Sequence, residues 1–318
     1  MRIDEIEAAL LRMADTPEGS GAVADLACAL LLACRPSQGP ASLFERCQAH
    51  GLHVLPVHYY SPIPDTRELP DTLWTTTSAM PGVDLKEEEQ LRFLTDVCPR
   101  FQTEYDAFAH DPSESSDDYW FQNPMFSGTD ALVLYCIVRH FRPRRVLEVG
   151  SGFSSRLTLK ALRKNGSGHL TCVEPHPSGF LKQNPELTLI ERRVQDVPVE
   201  AFEALNADDV LFIDSSHVAR VGGDVNFLFL EVLPRLKSGV LVHVHDIFLP
   251  GELAKAWVLE RRWFWSEQYL LHAFLLFNAA FDVVFANSFM GRKHAAALRH
   301  IFPKSPWWEG GSFWMRRK

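Results

Sequence analysis

With 318 residues, 46% of them hydrophobic and 23% charged, the chain has the balance of a globular protein, long enough for one large domain or a core with an appendage. Its net charge of −8 argues against nonspecific nucleic-acid binding, which needs Lys and Arg to neutralise phosphates. The clusters Arg142, Arg144, Arg145 and Arg261, Arg262 read as solvated surface, and the six scattered cysteines (Cys28, Cys34, Cys47, Cys98, Cys136, Cys172), without a C-x-x-C pair, read as buried thiols in a reducing compartment.

In chain order, residues 3–14 and 22–34 read as two helices separated by Thr16-Pro17-Glu18-Gly19-Ser20-Gly21. The second is apolar enough to resemble a signal peptide, but Asp4, Glu5, Glu7, Asp15 and Glu18 give its lead the wrong charge. It is also too short to span a bilayer, so it is expected to be a buried helix of a cytoplasmic protein with no membrane partner. A third helix follows Ser42 and ends near Gly51. Beyond it, Pro56, Pro62 and Pro64 forbid a helix and force an extended path. That segment carries His58, Tyr59 and Tyr60, and two readings stay open: a surface linker, or a strap over an active site that touches substrate.

A helix is expected over residues 85–98, and the polar run 111–118 marks a boundary between a mostly helical N-terminal cap (1–115) and a core domain (116–318). Ser127 is placed to cap a helix whose Ala131, Leu132, Leu134, Tyr135, Ile137, Val138 and Phe141 follow helical spacing until Pro143 stops it. Strands and helices then alternate, which implies a parallel sheet. Strands are expected at 146–149, 170–173, 187–190, 210–213 and 240–244, with helices at 224–236 and 267–278 and two last strands at 281–285 and 311–315.

The first of these strands ends in Glu148 and runs into Gly150-Ser151-Gly152, and a helical pattern starts behind the turn. Glycine permits the tight turn and close ligand approach, and the helix start offers free N–H groups. The third glycine of a dinucleotide fingerprint is replaced by Ser155. The other strands also deliver polar groups to their carboxyl ends: Glu174, Gln195-Asp196, Asp214 and His245-Asp246. One such residue is a helix cap; five successive strands ending this way point to a site.

This E-x-G-x-G turn and the strand-end residues resemble class I S-adenosylmethionine-dependent methyltransferases over roughly residues 120–318. The runs 212–217 and 236–240, with His245-Asp246-Ile247, look most like a bacterial small-molecule branch. The resemblance implies an α/β fold with a Rossmann-like seven-stranded methyltransferase sheet behind the helical cap. It implies that Gly150 and Gly152 line the methionine portion of S-adenosyl-L-methionine, with Glu148 and Ser151 counted among the cofactor-binding residues. Glu174 would take the ribose hydroxyls, Gln195 and Asp196 would face adenine, and Asp214 would lie near the methionine end.

Because the sulfonium methyl is already electrophilic, the enzyme must position the acceptor and remove its proton. His245 is the expected base for an O-methylation, His217 the second candidate, and Asp246 belongs to the same corner. A metal held by Asp214 and Asp246, Mg²⁺ by the hardness of its ligands, ranks third. Phe248, Trp257, Trp263 and Trp265 supply a pocket wall or pack the N-terminal region. The rival readings are an intramolecular displacement on the same cofactor and a non-catalytic binding protein on the same fold. The expected partner is a small-molecule substrate, and a homo-oligomer is compatible with the sequence.

Overall fold

The alternation of short apolar runs with helical stretches is realised as one seven-stranded sheet, ordered β3-β2-β1-β4-β5-β7-β6. Its strands are β1 (Arg145–Val149), β2 (His169–Val173), β3 (Leu187–Ile190), β4 (Val210–Ile213), β5 (Leu241–Val244), β6 (Phe281–Ala286) and β7 (Phe313–Arg317). The computed structural model describes residues 3–33, 42–112 and 118–318. It divides into two compact units, Met1–Leu69 and Pro70–Lys318.

In the second unit β1 to β5 run parallel, while β7 pairs antiparallel with both β5 and β6. Every residue of β4 and β5 is buried, as strands covered on both faces require. The helix Gly128–Phe141 is buried from Gly128 to Val138 and packs beside the helix Phe153–Asn165. Ser127 stands at the helix start, but its hydroxyl donates to the Phe121 carbonyl instead of capping.

The expected boundary at 115/116 falls inside this unit, and residues 113–117 of the polar run that suggested it lie outside the described residues. Residues ahead of the run are tied into the core. Gln90 accepts from the Ala286 N–H at 2.7 Å, and Glu104 pairs with Arg139 at 2.8 Å. The helices expected over 85–98 and 224–236 are interrupted by π-turns at 93–97 and 228–232 and by 3₁₀ turns carrying Pro99 and Pro234, which cannot continue an α-helical ladder. Two helices absent from the sequence reading, Asn287–Lys293 and Ala295–Ile301, lie between β6 and β7.

The first unit holds the helices Ile3–Ala14, Pro17–Ala33 and Leu43–Ala49, the last capped by Ser42. The helix expected to be buried over 22–34 is found as Pro17–Ala33 with no buried residue, and Cys34 lies outside the described residues. Its apolar residues run all round the helix, so no single face can be covered by its neighbour Ile3–Ala14, and Leu26, Leu30 and Leu32 stay exposed. His58, Tyr59 and Tyr60 form a turn in which the Tyr60 N–H donates to His58 Nδ1 at 3.2 Å, and both tyrosines are exposed. Among the described residues no helix is long and apolar enough to cross a membrane.

Candidate active site

The turn after β1 is shaped by one steric fact. Gly150 has a φ of +76°, and a Cβ there would stand 1.7 Å from the Asp214 carbonyl oxygen at the end of β4. Only glycine can occupy the position. Gly152 has open space instead; its N–H donates to Ser155 Oγ at 2.9 Å, and the helix Phe153–Asn165 starts there. At the end of β2, the Glu174 carboxylate accepts from the Ser151 N–H at 3.2 Å and from the His176 N–H at 2.8 Å.

Two cavities open at these strand ends, of about 720 and 380 Å³. Gly150, Glu174 and Asp214 line both, Ser151 and Gly152 the larger, and Gln195 the smaller, where its amide donates to the Gly222 carbonyl at 3.0 Å. The Ser151 hydroxyl, which faces the larger cavity, and that of Ser215, which faces both, are buried without a hydrogen-bond partner, so polar atoms are left over for a bound molecule. Glu148 and Asp196 line neither cavity. Glu148 is 1% exposed, and burial pushes its carboxyl up to about 8 although Ser154 donates to it, so it is a neutral brace beneath the turn. Asp196 pairs with Arg193 at 2.9 Å on the surface.

The larger cavity also meets a cluster of acids and histidines. His217 Nε2 lies 3.3 Å from both Asp214 and Asp246, and its Nδ1 lies 2.9 Å from Glu267. His245 Nδ1 is 3.3 Å from Asp246 and 3.7 Å from Asp214, while its Nε2 is 3.9 Å from Asp130. Burial opposes charging of either ring, but the carboxylates outweigh it. His217 is raised well above the usual imidazole range by Asp214 and Glu267, and His245 is pushed up to about 10 by Asp246, Asp214 and Asp130. Burial would raise Asp214 as well, yet His245 and His217 hold it down at about 2.

His217 and Asp246 both adopt left-handed backbone, with φ of +59° and +56°. Such strain is held by its surroundings. The N–H groups of Ser266 and Glu267 donate to the His217 carbonyl at 2.9 and 3.0 Å. Gly311 backs onto Asp246 so closely that a Cβ would lie 2.9 Å from the Asp246 Cα.

Asp214, His217 and Asp246 offer three ligand atoms within 4.8 Å of one another. Two carboxylates and an imidazole whose other nitrogen is held by a buried carboxylate suit a divalent cation. The sequence reading had two of these ligands and not the histidine. It also missed Asp130, Glu267, Trp307, Glu309 and Gly311. One signal was available: Asp130 is the only acid in the helix Gly128–Phe141 and stands just ahead of its long apolar run, and it accepts from Gly311, Ser312 and Asn287 at 2.8–3.0 Å. Phe248, Trp257, Trp263 and Trp265 do line the larger cavity.

The family model of a methyltransferase domain matches residues 147–247, from β1 through the His245-Asp246 corner. The chain belongs to the class I S-adenosylmethionine-dependent methyltransferases. An uncharacterised protein of Archaeoglobus fulgidus is 32% identical to this methyltransferase over 161 residues, which are 47% of this chain and 72% of that protein. Among solved structures, the O-methyltransferase TomG of Streptomyces achromogenes, in complex with S-adenosylmethionine, is 15% identical with a TM-score of 0.38, over 70% of this chain and 87% of that one. An O-methyltransferase of Bacillus cereus, in complex with S-adenosylhomocysteine, is 14% identical with a TM-score of 0.35, over 73% and 97%.

Proposed function

We propose that this methyltransferase moves the methyl group of S-adenosylmethionine to a hydroxyl oxygen of a small molecule. The observation that carries this reading is the meeting of the Gly150–Gly152 turn with two histidines and their carboxylates along one cavity of about 720 Å³. In this reading the methionine portion lies at Gly150, Ser151 and Gly152 with Asp214 near it. Glu174 accepts from the ribose hydroxyls, and adenine lies beside Gln195 in the smaller cavity.

Methyl transfer discharges the sulfonium, and the acceptor hydroxyl must lose its proton. His245 is the proposed base. Its raised proton affinity makes it a strong acceptor once deprotonated, so its work belongs to alkaline pH. His217 is the second acceptor: with Nδ1 held by Glu267, its Nε2 faces Asp214 and Asp246. A divalent cation held by Asp214, His217 and Asp246, Mg²⁺ among the candidates, would lower the pKa of a bound hydroxyl. A cytoplasmic setting completes the reading.

The test is mass spectrometry of a metabolite extract incubated with the protein and methyl-labelled S-adenosylmethionine. The expected outcome is a labelled O-methyl product and S-adenosylhomocysteine in equal amounts. A cofactor fragment other than S-adenosylhomocysteine, with no labelled product, would overturn methyl transfer in favour of displacement within the cofactor.

A further inference from the structure

From His217 a row of rings leads away along the larger cavity. Trp265 lies 4.4 Å from the His217 ring, Trp263 stacks on Trp265 at 4.8 Å and 12°, and the Arg261 guanidinium lies 4.8 Å from the Trp263 ring centre. All four residues line the same cavity. The tryptophans are half-buried and Arg261 is exposed, so the row runs from the buried corner outward. Backbone bonds hold the segment: the Arg261 N–H donates to Ala256 at 3.1 Å and the Trp263 N–H to Trp257 at 2.9 Å.

Charge along this row is uneven. Asp130, Asp214 and Asp246 gather at the inner end around the two histidines, and Glu174 and Glu309 also line the cavity. Arg261 is the only Lys or Arg lining it among the described residues, and no carboxylate pairs with it there. At the inner end the two histidines are paired with these carboxylates, so the unpaired cation that an anion meets along the row is Arg261. A guanidinium stacked on a ring keeps its N–H fork free for a carboxylate or phosphate. The indole faces offer a flat apolar surface between the two ends.

We infer that the acceptor is a planar hydroxylated acid, its hydroxyl at the histidine corner, its conjugated body along Trp265 and Trp263, and its carboxylate or phosphate on Arg261. The inference rests on the proposed O-methyl transfer and deepens it by naming the substrate class. Nothing covalent is added to that reaction, because the anionic group only binds.

The experiment is calorimetry on the full chain saturated with S-adenosylhomocysteine, using 4-hydroxycinnamate, its methyl ester and 3-(4-hydroxycyclohexyl)propanoate as probes. The acid is expected to bind about tenfold or more tightly than the ester, on the scale of a lost charge-assisted hydrogen bond, and more tightly than the saturated acid. In Arg261→Gln the preference of acid over ester should collapse towards one while S-adenosylhomocysteine binds as before. An ester bound as tightly as the acid, a preference that survives Arg261→Gln, or no binding of the acid would overturn the inference and leave the cofactor reading standing. Failure of S-adenosylhomocysteine itself to bind would sink both.

Discussion

Glu267 and His217 stand fifty residues apart in the chain and meet at 2.9 Å, with Glu267 only 2% exposed. The contact fixes which face of the imidazole is free: Nδ1 is committed to Glu267, and Nε2 is left towards Asp214 and Asp246. A buried carboxylate that orients a histidine typically carries a 10- to 100-fold effect. Glu267→Gln should therefore lower kcat by about 10–100-fold, with little change in the affinity for S-adenosylmethionine. Steady-state kinetics beside calorimetry decides it, and an unchanged kcat would reduce Glu267 to a packing role.

Gly150 and Gly152 make a paired test. At Gly150 a methyl group would meet backbone at 1.7 Å and sit at a positive φ, so Gly150→Ala should lose cofactor binding and about 1–3 kcal/mol of stability. Gly152 has no neighbour within 4 Å of an added Cβ. Gly152→Ala should keep the thermal midpoint and weaken S-adenosylmethionine binding, because the open space is where the cofactor is proposed to lie. Equal melting temperatures for both variants would refute the steric account.

Glu174 is expected to hold the ribose. Removing a carboxylate that accepts charge-assisted hydrogen bonds costs about 1–3 kcal/mol, so Glu174→Ala should weaken the cofactor by that amount in calorimetry. Since Ser151 and His176 also donate to this carboxylate, Glu174→Gln is expected to fall between the two.

The buried carboxyl of Glu148 titrates at about 8 against an ordinary 4.5 because burial disfavours its charged form. A raised pKa stabilises the folded state fully below the unfolded value, and that contribution is lost as pH rises through the folded one. Between about 4.5 and 8 the wild type should therefore lose stability relative to Glu148→Gln, by at most about 1.4 kcal/mol per pH unit. Denaturant melts at several pH values measure the gap; a constant gap would mean the carboxyl is already ionised.

The proton acceptor sets the pH profile of activity. If His245 removes the proton, kcat should climb with pH through the alkaline range towards about 10, not level off near 6.5. His245→Ala should lower turnover by about 10²–10⁴-fold and leave cofactor affinity nearly intact. Loss of activity on adding a chelator, restored by a divalent cation, would instead assign the acceptor's activation to Asp214, His217 and Asp246. The stability of the wild type carries the same sign: His245 favours folding below about 6.5 and loses that contribution as pH rises through about 10.

Local chemistry was enough for the framework. β3 and β4 fall on the expected residues, and the Gly150 turn and Glu174 lie where the strand pattern put them, because side-chain period and turn geometry act over a few residues. Burial was not legible in the same way. Glu148 reads as a cofactor ligand in the motif and turns out to be a buried neutral brace, while the apolar helix Pro17–Ala33 buries nothing. The corner where chemistry is expected was the least legible part. Asp130 comes from a helix ahead of β1, Glu267 from a helix after β5, and Gly311 from the loop before β7. Their meeting around His217 and His245 follows from sheet order and helix packing over many tens of residues, and the proton affinities of both histidines exist only once those carboxylates share a site shielded from water.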